Sequence, residues 1–248
     1  MKRNAFRKVF KTSGPAVLPV IHTRDLDEAL RNCHVAMRCG AQGVFLINHD
    51  FHHDQLVPIL KSVRAAMPWL WLGVNFLGVT GKNAFPVLGD LQRDGCEIDA
   101  YWADDARIDE RQETQTDAET IDRARNECGW TGLYFGGVAF KKQRPVAAAN
   151  YGHSAKLARR HMDVITTSGV ATGAAADLDK IRTFRAASED HPVAIASGIT
   201  PENVADYAPH VDAILVATGI NRDGDFYNIA PEKLSRLLAN VRETAPDA

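Results

Sequence analysis

Short apolar segments alternate with helix-like amphipathic segments along the whole chain. Eight apolar runs have the length and composition of buried parallel strands: Ala16–Ile21, Gly43–Ile47, Trp69–Phe76, Ile98–Trp102, Gly132–Val138, Met162–Thr166, Val193–Ala196 and Ala213–Val216. Helical patterns lie between or after them: Leu26–Gly40, Gln55–Ala66, Glu110–Cys128, His153–Arg160, Leu178–Ser188, Glu202–Ala208 and Glu232–Glu243. This order predicts an α/β fold, and eight strands are the number that a closed (β/α)8 TIM barrel requires. A doubly wound open sheet is the alternative.

The length of the chain also fits one barrel. Its 248 residues match the usual size of a TIM-barrel domain, and no linker or low-complexity tract interrupts them. We therefore expect a single domain over residues 1–248. Residues 1–14 form a basic segment in which Phe6, Val9 and Phe10 have helical spacing, so we expect a short helix that caps the barrel.

Composition excludes several classes of partner and location. The net charge of −2 gives no general attraction to nucleic acid. The apolar stretch 67–79 contains Pro68, Gly73, Asn75 and Gly78, so it is not expected to enter a membrane. The four cysteines show no C-x-x-C spacing and are expected to be free thiols of a reducing compartment. We therefore predict a cytoplasmic protein; association into a homo-oligomer stays open.

Two small-residue turns near the end of the chain predict a phosphate site. The seventh and eighth apolar runs are each followed by a turn with a hydroxyl residue and a glycine, and these turns contain Ser197, Gly198 and Ile199, then Ala217, Thr218 and Gly219. In many barrels the last two strands present backbone N–H groups to phosphate at this position. Glycine is expected because a Cβ would crowd the phosphate or forbid the turn. Valine at Gly198 or Gly219 should then abolish phosphate binding and leave much of the fold intact.

Other polar residues follow the predicted strands, at the barrel end where active sites form. The candidate catalytic residues are His22, Asp50, Asn75, Asp104 and Lys141. We expect His22 and either Asp50 or Asp104 to transfer protons, and Lys141 to stabilise negative charge. A Schiff-base role for Lys141 stays open, although anion binding is favoured. The loop 139–152, which follows the fifth strand, has the length and position of an active-site lid.

A histidine-rich segment follows the second predicted strand. It contains His49, Asp50, His52, His53 and Asp54, which are residue types that bind metals. Their spacing matches no fixed metal motif, and a polar loop is the favoured interpretation. We predict no metal and no cofactor.

The last third of the chain resembles the BtpA family. The resemblance rests on residues 168–173, on the segment 177–185, on the Ser-Gly-Ile-Thr-Pro-Glu-Asn-Val turn and on residues 219–225, with a second match at residues 73–77. The family is named for a photosystem I biogenesis factor, and its fold is similar to the ribulose-phosphate-binding barrels. By this resemblance His22 occupies the position of the histidine in an early Val-His pair of the family, and Asn48 occupies that of the asparagine in a Glu-Asn pair. Ile47 stands where the family has the acidic residue of that pair. The residues expected to bind substrate are Asn48, Ser168, Gly169 and Thr172.

Together these features predict an enzyme that acts on a small phosphorylated sugar or phosphoribosyl compound. Isomerisation, carbon–carbon cleavage and glycosyl or phosphoribosyl transfer all fit the residue types. One alternative is a nucleotide-salvage phosphoribosyltransferase, although the chain lacks a recognisable acidic pair for magnesium and pyrophosphorylated ribose. The other alternative is a non-catalytic assembly or stability factor.

Overall fold

A computed structural model describes residues 1–244 of the chain. The last four residues of the predicted domain, 245–248, lie outside this range. Eight parallel strands form a closed barrel, in which each strand pairs with the next and β8 pairs with β1. The strands are β1 Ala16–Thr23, β2 Val44–Asn48, β3 Leu72–Asn75, β4 Ala100–Ala103, β5 Leu133–Gly137, β6 Val164–Ser168, β7 Val193–Ala196 and β8 Ala213–Val216. The predicted TIM barrel is confirmed, and the open-sheet alternative is wrong.

Helices cover the outside of this barrel. They are α1 Arg3–Phe10, α2 Leu26–Cys39, α3 His53–Ala66, α4 Gly81–Arg93, α5 Thr116–Cys128, α6 Tyr151–Ala158, α7 Leu178–Ser188, α8 Val204–Tyr207 and α9 Pro231–Glu243. The bounds of α2 follow from its caps: the Asp25 side chain accepts the Glu28 N–H, and Gly40 ends the helix at a φ of 94°. These two residues are the start and stop signals of this helix.

Two helices differ most from the sequence prediction, whereas α3, α6 and α8 differ from it by one or two residues at their ends. Helix α4 was not predicted, because its residues include Gly81, Pro86 and Gly89, which are poor helix formers. Gly89 instead permits close packing on α5, since a Cβ there would lie 2.7 Å from the Cys128 carbonyl oxygen. Helix α5 begins at Thr116 and not at Glu110, because residues 104–115 form a loop at the carboxyl end of β4.

Aromatic side chains fill the barrel interior at its amino end. Phe6 of α1 is fully buried and packs edge-on against Phe135 of β5, with ring centroids 6.0 Å apart. Phe45 of β2 lies 5.3 Å from the same ring. These contacts seal one end of the barrel with hydrocarbon, which leaves the carboxyl end for polar chemistry.

The same set of hydrogen bonds recurs at the amino ends of several strands. Asp99, Asp163 and Asp212 each stand directly before an even-numbered strand. Each carboxylate accepts a backbone N–H of the preceding odd-numbered strand and one arginine from the helix before that strand; the arginines are Arg64, Arg125 and Arg185. Gln42 accepts the Val17 N–H in the first quarter of the barrel. The aspartate–arginine contacts therefore recur three times around the barrel, and the sequence did not reveal them.

No helix within residues 1–244 is both long and apolar enough to cross a membrane.

Candidate active site

The side chains at the carboxyl end of the barrel converge on Lys141. Its ammonium donates to Ser197 Oγ at 2.7 Å and to Thr172 Oγ1 at 3.2 Å, so it spans from the loop after β5 to the turn after β7. Burial lowers the pKa of Lys141, and the nearby carboxyl group of Asp104 opposes that shift. A cation is therefore held beside the predicted phosphate turns.

Asp104 and Asn75 form a buried pair next to this lysine. Asn75 Nδ2 donates to Asp104 Oδ1 at 3.1 Å. Burial raises the pKa of Asp104, and the hydrogen bond from Asn75 partly opposes the rise. A raised pKa makes a carboxyl group a better proton acceptor than an ordinary aspartate. Of the two acids considered from the sequence, Asp104 is the one in the barrel mouth.

A cavity of about 220 Å³ opens beside the Asp104 carboxyl group. Its lining includes the acids Asp104 and Asp105 and the bases Arg107, Lys141 and Lys142. Acidic and basic side chains thus line a space that is large enough for a small molecule. This arrangement suits an anionic substrate that undergoes proton transfer.

The turns after β7 and β8 present free backbone donors. Within the described part of the chain, four N–H groups in these turns donate to no other protein group, and they belong to Gly198, Ile199, Thr218 and Gly219. The Ala217 carbonyl closes the second turn by accepting the Ile220 N–H at 2.9 Å. Unpaired N–H groups together with the Ser197 and Thr218 hydroxyls are suitable ligands for a phosphate.

Backbone geometry explains the glycines in these turns: the predicted conflict with the turn applies at Gly198, and at both positions a Cβ would also collide with neighbouring backbone. A Cβ at Gly198 would lie 2.1 Å from the Ala175 backbone nitrogen, and φ there is 71°. A Cβ at Gly219 would lie 2.0 Å from the Ile199 carbonyl oxygen. Both glycines allow neighbouring backbone segments to touch. Valine at either position would displace these segments, so such variants do not isolate the phosphate site.

His22 lies beneath a loop that the sequence prediction did not include in the site. The His22 ring stacks on Phe226 with centroids 3.8 Å apart, and its Nδ1 lies 2.8 Å from the Phe226 carbonyl oxygen. Because a carbonyl only accepts, Nδ1 carries the hydrogen and Nε2 carries the lone pair. Burial lowers the pKa of His22 to about 4. The resting imidazole is therefore neutral, with Nε2 as a hydrogen-bond acceptor.

This lowered pKa predicts a pH effect on stability. The unfolded chain takes up a proton near pH 6.5, whereas folded His22 takes one up only near pH 4, so stability falls as the pH falls between these values. A shift of this size corresponds to about 3 kcal/mol. Between pH 7 and pH 4 the free energy of unfolding of the wild-type protein should therefore fall by about 3 kcal/mol more than that of the His22→Gln variant. Urea unfolding at both pH values measures this difference.

The exposed His52→Gln variant is the control for this measurement. It should keep the pH dependence of the wild-type protein. If His22→Gln also keeps that dependence, the imidazole of His22 is not the group that burial holds neutral.

Asn48 is buried at the rim and holds loops together. Its Nδ2 donates to the Phe51 carbonyl at 2.8 Å, and its Oδ1 accepts the Leu77 N–H at 3.1 Å. Both ends of the amide are therefore used by backbone groups. These contacts give Asn48 a loop-positioning role, and its contact with substrate stays a prediction.

Ser168 and Gly169 likewise shape the loops around the site. Ser168 Oγ accepts the Lys141 backbone N–H at 2.9 Å and donates to the Gly169 carbonyl. A Cβ at Gly169 would lie 2.3 Å from the Ala174 carbonyl oxygen, so this glycine lets its loop fold back on itself. Of the predicted substrate-binding residues, Thr172 is the exposed one whose hydroxyl reaches Lys141.

Lys180 is a buried residue near the site that the sequence prediction omitted. Its ammonium donates to the Ala139 carbonyl at 2.6 Å and to the Ser168 carbonyl at 2.7 Å. Burial lowers the pKa of Lys180 to about 8. Ala139 has a φ of 45°, which is strained for a residue with a Cβ, and the lysine helps to hold it. The signal in the sequence is its place on the apolar face of α7, next to Ile181 and four residues before Phe184.

Asp50 does not join the cluster that Asp104, Asn75 and Lys141 form. Its carboxylate is exposed and accepts the Tyr227 hydroxyl at 2.8 Å. Tyr227 belongs to the same loop as Phe226, and Arg24 lies over its ring at 4.0 Å. Asp50 therefore anchors the loop 221–229 across the barrel mouth.

The histidine-rich segment divides into two parts. His52, His53 and Asp54 have side-chain ligand atoms within 4.8 Å of one another, at the start of α3. His49 instead packs edge-on against His22, with centroids 4.7 Å apart. The residues suspected from the sequence therefore do not form one cluster.

Solved structures share this fold across nearly the whole chain. Tryptophan synthase subunit alpha from Legionella pneumophila str. Paris is 14% identical, with a TM-score of 0.69 over 98% of this chain and 99% of that chain. Phosphoribosyl anthranilate isomerase from Thermus thermophilus is 16% identical, with a TM-score of 0.57 over 92% of this chain and 98% of that chain. At such low identity the similarity establishes the fold alone.

Sequence comparison gives a narrower result. No curated protein matches this chain. The model of the BtpA family matches residues 106–243, which is more than half of the chain and includes the loops that carry Lys141, Ser197 and Thr218. The predicted resemblance is confirmed, and the protein belongs to the BtpA family.

Proposed function

We propose that this protein is an enzyme acting on a small phosphorylated sugar or phosphoribosyl compound, by isomerisation, carbon–carbon cleavage or glycosyl or phosphoribosyl transfer. The observation that carries the proposal is the position of Lys141. Its ammonium bonds Ser197 in the turn after β7, and Lys141 is also one of the residues, with Asp104, that line the cavity. A phosphate in the turns would therefore place the rest of a small substrate next to an acid–base group.

The residues suggest a division of roles in such a reaction. Asp104 would take a proton from a substrate carbon or hydroxyl, and its hydrogen bond to Asn75 keeps the carboxyl group oriented. Lys141 would stabilise the negative charge that develops on a substrate oxygen. The neutral Nε2 of His22 would accept a hydrogen bond from a substrate hydroxyl. We assign no Schiff base to Lys141, because its ammonium already donates to two hydroxyls.

We also propose that the chain forms one domain and acts in the cytoplasm. Its four cysteines are free thiols, which supports a reducing compartment. The similarity to a structure named phosphoribosyl anthranilate isomerase supports a phosphoribosyl compound as one candidate substrate.

Titration with inorganic phosphate tests the phosphate site. We expect the Lys141→Met variant to bind phosphate about ten- to a hundred-fold more weakly, because it loses a charge-assisted contact worth about 1.5–3 kcal/mol. Lys142→Met is the matched control: it removes the same charge one residue later, from an exposed side chain. Isothermal titration calorimetry of both variants and the wild-type protein measures the difference.

Three results would count against the proposal. Equal phosphate affinity in Lys141→Met and the wild-type protein would remove Lys141 from the site. Equal losses in both lysine variants would indicate general charge attraction. Wild-type protein that binds neither phosphate nor a phosphorylated sugar would favour the non-catalytic assembly or stability factor.

A further inference from the structure

Three buried polar atoms inside the carboxyl half of the barrel have no hydrogen-bond partner within residues 1–244. They are Asn75 Oδ1, Trp102 Nε1 and Thr166 Oγ1. Their side chains belong to β3, β4 and β6 and are between 0% and 4% exposed. Leaving such a group unpaired costs about 1–3 kcal/mol, so three together at one end of the barrel require an explanation.

The strand register brings these three side chains to the barrel interior. Asn75 stands beside Trp102, because Gly73 pairs with Ala100 and the two strands run in parallel. Thr166 pairs with Gly137 of β5, and a glycine at that position adds no side chain between β4 and β6. Alternation along β6 points Thr166 to the same interior as Val164, which packs in the cluster that contains Trp102.

The direction of the Asn75 amide follows from its neighbour. The amide nitrogen donates to Asp104, and a carboxylate can only accept, so Oδ1 faces away from Asp104. The three atoms thus offer one acceptor, one donor from the indole and one hydroxyl that can do either. Since no cation is among them, a phosphate or carboxylate is disfavoured here and an uncharged hydroxyl-bearing group fits.

We propose that Asn75, Trp102 and Thr166 form a subsite for the sugar hydroxyls of the substrate, below the phosphate turns and next to Asp104. This inference rests on the proposed function and adds to it the part of the substrate that the barrel interior recognises. Phe140 packs against Trp102 with centroids 5.9 Å apart, and it belongs to the same loop as Lys141. The subsite is covered by this loop, so binding requires the loop 139–146 to move.

Threonine-to-valine variants test the subsite with little change of shape. Thr166→Val removes the unpaired hydroxyl, and Thr167→Val makes the same change at the next position of β6, whose side chain points out of the barrel. We expect Thr166→Val to bind ribose 5-phosphate about ten-fold more weakly and to bind inorganic phosphate as the wild-type protein does. Thr167→Val should bind both probes normally.

A second readout concerns the unliganded protein. Because Thr166→Val removes an unpaired buried hydroxyl, its melting temperature should equal or exceed that of the wild-type protein. Trp102→Phe, which removes the indole N–H, should also weaken ribose 5-phosphate binding and spare inorganic phosphate. A loss of affinity that accompanies a lower melting temperature in both variants would indicate a general packing defect and overturn the assignment.

The remaining outcomes separate the subsite from the proposed function. If wild-type protein binds ribose 5-phosphate no better than inorganic phosphate, or if Thr166→Val and Trp102→Phe bind it normally, the subsite is overturned while the phosphate site stands. If wild-type protein binds neither probe, the proposed function fails, and the subsite assignment fails with it.

Discussion

The Asp104→Asn variant is expected to turn over a phosphorylated sugar substrate at least about a hundred-fold more slowly than the wild-type protein. Asparagine keeps the shape of the side chain but cannot accept a proton. Its amide can still face Asn75, so the pair remains close to its present geometry. The rate should therefore fall while the affinity for inorganic phosphate, which binds at the turns after β7 and β8, stays unchanged.

Steady-state kinetics on the sugar phosphates that the wild-type protein converts will measure this effect. Since Asp104 acts as a base only when ionised, the wild-type rate should fall as the pH falls through its raised pKa. Asp117→Asn is the control, because Asp117 is an exposed acid in the first turn of α5 and does not line the cavity. Similar rates in Asp104→Asn and Asp117→Asn would contradict the role given to Asp104.

The second large effect is expected on stability, at the opposite end of the barrel. Asp212 is fully buried, and its carboxylate contacts Arg3 at 2.8 Å, Arg185 at 2.8 Å and Arg7 at 3.5 Å. It also accepts the Val193 N–H at 3.1 Å. Asp212→Ala would leave three arginines facing one another without a counter-charge. We expect the free energy of unfolding to fall by about 3–5 kcal/mol.

Urea unfolding at neutral pH will measure this loss. Asp223→Ala is the control, because Asp223 pairs with Lys233 at an exposed position and its replacement should leave the midpoint unchanged. If Asp212→Ala unfolds at the same urea concentration as the wild-type protein, the prediction is contradicted. The ion pairs of Asp212 would then contribute little to holding α1 and α7 on the barrel.

The strands show why local sequence was informative for the fold. The predicted bounds of β7 and β8 agree with the structure, because each is a short apolar run closed by a small-residue turn. Burial on both faces of a parallel strand leaves a continuous apolar signal. Helix α4 lacks such a signal: its Gly89 is explained only by contact with α5, and that contact is not local in sequence.

In the candidate site too, positions next to strands could be predicted from the sequence, whereas contacts between residues far apart in the sequence could not. Asn75, Asp104 and Lys141 were singled out because each ends or follows a strand, and strand ends meet at one rim. His22 was singled out because it follows the predicted strand; the structure extends β1 to Thr23, so His22 is its second-last residue. The stacking of Phe226 on His22 was not found, because 204 residues separate His22 from its hydrogen-bond partner. The two backbone contacts of the Asn48 amide were not found either, because the sequence does not show which loops lie beside it.

The sequence by itself determined the barrel and the family, because apolar periodicity and small-residue turns are properties of neighbouring residues. It also predicted the rim at which we propose the chemistry. Only the tertiary structure decided which polar groups are buried, which pKa values shift and which donors stay unpaired. Those properties depend on desolvation and on atoms brought together from distant parts of the chain. Asp104 differs from Asp50 for this reason: both follow a strand, but the fold buries one beside Lys141 and leaves the other exposed.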